Sequence, residues 1–201
     1  VAGGGGAGIV FRNGQAASLN NAGTISGGDG GTAASSSHGA GGVGIVGAAS
    51  GGISIVNSGS ISGGLSGDGA TRANAVELFG SNNRFEVQAG SSIIGNVVVA
   101  GGGTNNVFAL GGTGSNGFNV VDLTTTYTGF TAFEKTGAGT WVLSGSTAAV
   151  TPWTVTQGTL SVSSDASLGD TTGRLTLNGG TLRVAGSGFT STTRNIVLSA
   201  D

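Results

Sequence analysis

Lys135-Thr136-Gly137-Ala138-Gly139-Thr140-Trp141-Val142-Leu143-Ser144-Gly145 holds a Gly-Thr-apolar-x-apolar core that returns twice, as Gly158-Thr159-Leu160-Ser161-Val162 and Gly180-Thr181-Leu182-Arg183-Val184. The steps are 19 and 22 residues, the length of one β-solenoid coil and too short for an independent domain. Side chains along a strand point to opposite sides in turn. Trp141 and Leu143, Leu160 and Val162, Leu182 and Val184 therefore share one side, expected inside, and Thr140, Thr159 and Thr181 share the other. Val155, Leu175 and Ile196 mark a second strand family at steps of 20 and 21.

Upstream, Phe85-Glu86-Val87 is followed 23 residues later by Phe108-Ala109-Leu110, and the same step carries Val87 and Leu110 to Phe133. Further upstream the period lengthens: Leu19 to Gly28 matches Ile55 to Gly64, and Gly8-Ile9-Val10 matches Gly44-Ile45-Val46, both at an offset of 36. A looser third copy runs from Ala75-Val76-Glu77-Leu78 through Val87-Gln88-Ala89-Gly90 to Ile93. Asp29 to Gly42 is Gly, Ala and Ser with one His and no alternation, so it reads as a loop thrown out of a coil of ordinary length. Ser66 to Asn74, with Asp68 and Arg72, reads the same way.

The predicted architecture is all-β, a parallel β-helix of about 20 to 23 residues per coil. It is expected to run unbroken over residues 1–201: coils with long excursions over 1–96, middle coils over 97–134 and the Gly-Thr coils over 135–201. A coil of about 20 residues loses roughly 1 to 2 kcal/mol of backbone entropy per residue. Four to six inward aliphatics return only about 1.5 to 3 kcal/mol each. One coil cannot fold alone, and stability must come from ladders and stacked cores. Corners need positive φ, which Gly adopts and Asn tolerates, so Asn13-Gly14, Asn116-Gly117 and Asn178-Gly179 are expected at corners. Helix should be nearly absent, since no stretch keeps a 3.6-residue period between caps.

Composition narrows the partners. Forty-four glycines, one proline and 8% charged residues fit no ordinary globular domain. Disordered chains lack β-branched residues and carry high charge, whereas Val, Ile, Leu and Phe recur here in short runs and the net charge is -2. Seven scattered Lys and Arg leave no basic stripe for nucleic acid. No apolar run approaches the roughly 20 residues of a transmembrane helix. The chain opens Val1-Ala2-Gly3-Gly4 without Met or a signal peptide, and reads as a piece of something longer. With no Cys and no Met, neither disulfides nor thiolate metal sites are available.

At these residues the sequence resembles the passenger domains of Gram-negative autotransporters, the type V secreted proteins with a C-terminal outer-membrane β-barrel. Lys135-x-Gly137-x-Gly139-Thr140-Trp141-x-Leu143-x-Gly145, then Gly158 to Val162 and Leu175 to Leu182, are similar to the family's passenger-associated transport repeat. The Asn-Ser-Gly-Ser-Ile-Ser-Gly-Gly repeats are similar to those of adhesin-like passengers. The resemblance implies a right-handed parallel β-helix exported through the periplasm to the bacterial cell surface, and anchored to the outer membrane or released. It also implies the chain's own C-terminal barrel, beyond this sequence, as a partner. Absence of Cys suits passage through the outer membrane unfolded.

A Ser/His/Asp site needs a base, and the one His, His38, sits in the Gly/Ser-rich excursion, where no rigid element is expected to hold it. Protease passengers carry Gly-Asp-Ser-Gly; this chain has Ser66-Gly67-Asp68-Gly69. Asp165 and Asp170, the closest carboxylate pair for a polysaccharide-active enzyme, fall in Ser163 to Thr172, which reads as a corner with Asp capping backbone N–H groups. No Asp recurs at calcium-coil spacing. Gly3 to Gly6 lack the strand-to-helix context of a phosphate cradle. The Thr140, Thr159 and Thr181 row is too irregular for an ice-binding face, and Trp141, aligned with Leu160 and Leu182, reads as core. No catalytic, metal or cofactor residue is therefore assigned, and the ligand-binding residues are left unknown. The expected function is that of an adhesin or adhesin stalk, contacting host cell, matrix protein or glycan through a face or the excursions; a polysaccharide-active enzyme and a purely structural stalk are the alternatives. Both end coils, at Val1 and Asp201, should bare core and ladder edges and favour end-to-end association.

Overall fold

The computed structural model describes residues 2–12, 14, 16–34 and 37–199. The expectations placed on Val1, Asn13 and Asp201 lie outside the described residues. The chain is all-β with parallel sheets only, consistent with a parallel β-helix. It forms two compact units interleaved in sequence: 1–84 with 90–106 and 126–129, and 85–89 with 107–125 and 130–201.

In the first unit, Ile9–Val10, Ile45–Val46, Val76–Phe79, Val97–Ala100 and Tyr127–Thr128 make one sheet. Ala17–Asn21 pairs with Ile53–Asn57, and Thr24–Ser26, Ser60–Ser62 and Ser92–Ile94 make another sheet. The 36-residue offset is the observed register: Ile9 faces Ile45, Leu19 faces Ile55 and Thr24 faces Ser60. The looser third copy takes its place too, with Val76 beside Ile45 and Ile93 beside Ile61. Ile45, Ile53, Ile55, Ile61, Val76 and Leu78 are wholly buried, because β-branched and aliphatic residues alternate with polar ones along each short strand.

The corners of this unit carry stacked amides. Asn21 Nδ2 donates to Asn57 Oδ1 at 2.7 Å, and Asn57 Nδ2 to Ser91 Oγ at 2.6 Å. Asn83 Nδ2 donates to Asn106 Oδ1 at 2.9 Å, while Asn82 and Asn105 take positive φ of 61° and 56°. A buried amide is tolerated only when its donors and acceptors are filled, and one coil above another fills them.

The excursions are not loose loops. The limbs 2–8, 27–31, 37–44 and 62–67 lie side by side and bond every third residue. Running parallel, the amides of Gly5 and Gly8 donate to Ala40 O and Val43 O at 2.8 and 3.0 Å, and those of Gly27 and Gly30 to Ser62 O and Leu65 O at 2.9 and 2.8 Å. Running antiparallel, Gly28 and Gly31 donate to Gly6 O and Gly3 O, Gly42 and Gly39 to Gly28 O and Gly31 O, and Gly64 and Gly67 to Gly42 O and Gly39 O, at 2.8 to 2.9 Å. A three-residue period is that of polyproline II. The outgoing limbs, 27–31 and 62–67, form one layer, and 2–8 and 37–44 form the other. Glycine is required here for close approach: Gly27, Gly39 and Gly42 keep negative φ, yet a Cβ on any of them would overlap a neighbouring carbonyl. An absence of hydrophobic alternation had suggested a loop because this packing needs no side chains.

In the second unit, Val107–Leu110, Ala132–Lys135, Trp153–Val155, Leu175–Leu177 and Ile196–Leu198 follow one another in one sheet, and Asn116–Asn119, Thr140–Ser144, Thr159–Val162 and Thr181–Val184 in another. Thr140, Thr159 and Thr181 are in register, as are Trp141, Leu160 and Leu182. Trp141, Leu143, Leu160 and Val162 are buried as expected; Val184 is 48% exposed, because its strand ends the sheet. Two steps need correction. Phe133 faces Phe108 and Lys135 faces Leu110, a step of 25, since the segment with the short helix Asp122–Thr125 adds length. Val155 faces Leu177, which puts Trp153 beside Leu175 on the same buried face. Phe108, Phe133 and Trp153 then stack, with ring centroids 6.4 and 5.6 Å apart. Asn178-Gly179 is a corner, with Gly179 at φ 95°, but Asn116-Gly117 opens a strand.

Gly42→Ala should destabilise the chain by about 1–3 kcal/mol through overpacking. Gly6→Ala, whose Cβ would meet nothing within 4 Å, should be neutral or stabilising by up to about 1 kcal/mol. Equal losses in chemical denaturation of the two variants would contradict the bundle.

Candidate functional site

Three places interrupt the repeat or bury charge. At the tip of the glycine bundle lie residues 32–34, Ser37 and His38 of the first excursion and residues 68–71 of the second. His38 is exposed, and its Nδ1 accepts a hydrogen bond from the Ala33 amide at 3.2 Å. The tip thus sits on ordered limbs, contrary to the expectation that nothing rigid holds His38. Asp68 accepts from Ser66 Oγ and from the Ala70 amide, and these bonds, the hydroxyl first, hold its carboxyl below the usual 3.8, with a smaller pull from His38. Arg72 Nη1 donates to Gly63 O at 2.6 Å. Ser66 is committed to this turn, since its Oγ also accepts from the Thr71 amide.

Lys135, the first residue of the Gly-Thr motif, is wholly buried. Its Nζ donates to Thr136 O and Gly137 O at 2.7 Å and to Gln157 O at 3.0 Å, joining its own corner to the corner of the following coil. Three donors meet three carbonyls, which fills the capacity of an ammonium group. Burial pushes its pKa below 10.5, and the Glu86 carboxylate opposes that shift. Trp141 completes the corner by donating Nε1–H to Gly111 O at 2.9 Å. The sequence motif placed Lys135 but gave no reason for it; a lone Lys before Gly-x-Gly is the signal that could have done so.

The third place is Ser163 to Thr172. Ser164 caps a 3-10 turn, Asp165–Leu168, whose Ser167 and Leu168 are buried. Asp165 and Asp170 have different partners. Asp170 accepts from the Thr172 hydroxyl and amide, which lower its pKa below 3.8, the hydroxyl first. Asp165 pairs with Arg194 Nε at 3.2 Å. The Arg194 guanidinium is buried and donates further to Gly169 O at 2.7 Å, Asp170 O at 2.8 Å and Gly173 O. The loop is wrapped around one cation from the next coil, and sequence reasoning missed it because Arg194 is remote from the two carboxylates. The described residues contain no cluster of three or more His, Asp or Glu able to hold a metal. Among the described residues, no helix is long and apolar enough to cross a membrane.

Residues 133–162 match the family model of the passenger-associated transport repeat. This is the repeat of autotransporter passenger domains, and the match supports reading residues 133–162 as such a repeat. The repeat implies a C-terminal barrel partner and export to the cell surface or secretion. No curated protein and no solved structure matches the chain. On the structure, the matched residues begin at Phe133 beside Phe108, include the Lys135 ammonium and end at Val162.

Lys135→Met should cost about 2–4 kcal/mol, since it strips the donor from three carbonyls. A denaturation midpoint unchanged from the parent would sink this role. Arg194→Ala should free the 163–174 loop for limited proteolysis while the Gly-Thr sheet stays intact; a loop as resistant as in the parent would show that the guanidinium is dispensable.

Proposed function

We propose that the chain acts by binding rather than catalysis, as a surface-displayed adhesin segment that contacts host cell or matrix components through the tips of its glycine-built excursions. The observation that carries this reading is the bundle itself. Limbs tied every third residue hold Ser37, His38, Asp68 and Thr71 on an ordered support, and binding residues are characteristically loop residues positioned by a rigid scaffold. Ordering the support beforehand also lowers the entropic cost of engaging a partner.

The two carboxylates weighed for glycoside hydrolysis are engaged elsewhere, Asp165 with Arg194 and Asp170 with Thr172, which favours binding over that chemistry. The test is adhesion of the purified chain to host cells and to surfaces coated with matrix proteins. Binding that falls at least about tenfold in a His38→Ala, Asp68→Ala, Thr71→Ala triple variant supports the tips. Binding that the triple variant leaves intact moves the contact elsewhere, and no binding by the parent removes the adhesin role.

A further inference from the structure

Away from the tips, a groove of about 530 Å³ lies past the ends of Ile9–Val10 and Ile45–Val46, lined by Val10, Phe11, Arg12, Gly47, Ala49 and Phe79. Its origin is a difference between neighbouring coils. Ile9–Val10 leads into Phe11 and Arg12, and Val76–Phe79 ends on a half-buried Phe. The strand between them, Ile45–Val46, leads only into Gly47, Ala48 and Ala49. Adjacent strands lie about 4.8 Å apart, so the walls belong to strands roughly 10 Å apart with a side-chain-poor floor between them.

These dimensions and groups select an occupant. A helix with side chains is about 10–12 Å across and does not fit between the walls. An added β-strand would need free main-chain groups, but the floor uses its own: the Phe11 amide donates to Val46 O at 2.9 Å and the Gly47 amide to Glu77 O at 2.7 Å. One ring fits. The lining is apolar except for Arg12, which is exposed at the rim. An apolar slot with a single cation matches a ring with an apolar face and a carboxylate: aromatic edges and faces receive C–H groups, and a guanidinium takes a carboxylate in bidentate fashion. Glu77 lies two residues before Phe79 and is not among the lining residues.

We infer that this groove binds a carboxylated sugar, with Phe11 and Phe79 flanking the ring and Arg12 holding the carboxylate. The inference deepens the adhesin reading by naming a ligand class, and it uses a surface separate from the bundle tips.

The experiment is NMR titration of the intact chain with galacturonate, galactose and benzoate. Galacturonate should shift the resonances of Phe11, Phe79 and Ala49, with galactose and benzoate at least about tenfold weaker. Arg12→Gln should abolish the preference for galacturonate over galactose. Ala49→Leu, which fills the slot from an exposed position, should weaken all binding without unfolding the chain. Equal binding of galactose would overturn the carboxylate contact, tighter binding of benzoate would overturn the sugar, and shifts outside these residues would overturn the site. The adhesion assay separates the two readings: adhesion without galacturonate binding rejects the groove alone, and galacturonate binding without adhesion rejects the adhesin role alone.

Discussion

Every backbone N–H and C=O that leaves water must find a partner, and in this chain the partner lies one coil away. That constraint explains why the repeats need only approximate identity. Ile9 above Ile45 and Thr140 beside Thr159 keep register although the sequence step is 36 in one place and 19 in the other. What is conserved from coil to coil is the matching of short strands, while the segments between strands change length. Where side chains permit strand spacing, the ladder is a β-sheet. In the excursions, glycine lets the backbones come closer and the ladder changes to one bond in three residues.

The same constraint accounts for the buried cations. Corners leave carbonyls pointing inward that no strand can satisfy, and Lys135 and Arg194 each collect several of them. A buried charge is tolerated only with this degree of pairing. Lys135 joins consecutive corners of the transport repeat, while Arg194 gathers a loop. Asp165 pairs with the same guanidinium, and Asp170 accepts from Thr172. Exposed, adaptable groups remain at the excursion tips and the rim of the groove, which is where binding is proposed.

Much of the fold was legible because it rests on alternation. Trp141, Leu143, Leu160 and Val162 alternate with Thr, Val and Ser, and period two is read directly from such a run. The misreadings arise where spacing is not set by strands. Phe133 was aligned to Leu110 because two steps of 23 coincide, whereas Asp122–Thr125 and its flanks lengthen that coil and bring Phe133 to Phe108. Glycine limbs carry no hydrophobic signal at all, so their order was invisible to a reading based on apolar period, although glycines spaced by three, such as Gly39 and Gly42 or Gly64 and Gly67, were there to be seen. The groove was equally hidden, since it is made by a lack of side chains at Gly47 and Ala49 between aromatic neighbours that are distant in sequence.

The limbs also define how such a chain can change in length. A polyproline-II limb completes a turn in three residues and rises about 3.1 Å per residue. Adding a triplet to an outgoing limb and another to its return would extend the tip by about 9 Å and keep every glycine row facing its neighbour. A single added residue would instead rotate a side-chain row into the carbonyls that now face Gly39 and Gly42. Insertions and deletions in these segments are thus quantised in threes, and the reach of the tip can evolve in steps while the isoleucine core below it stays as it is.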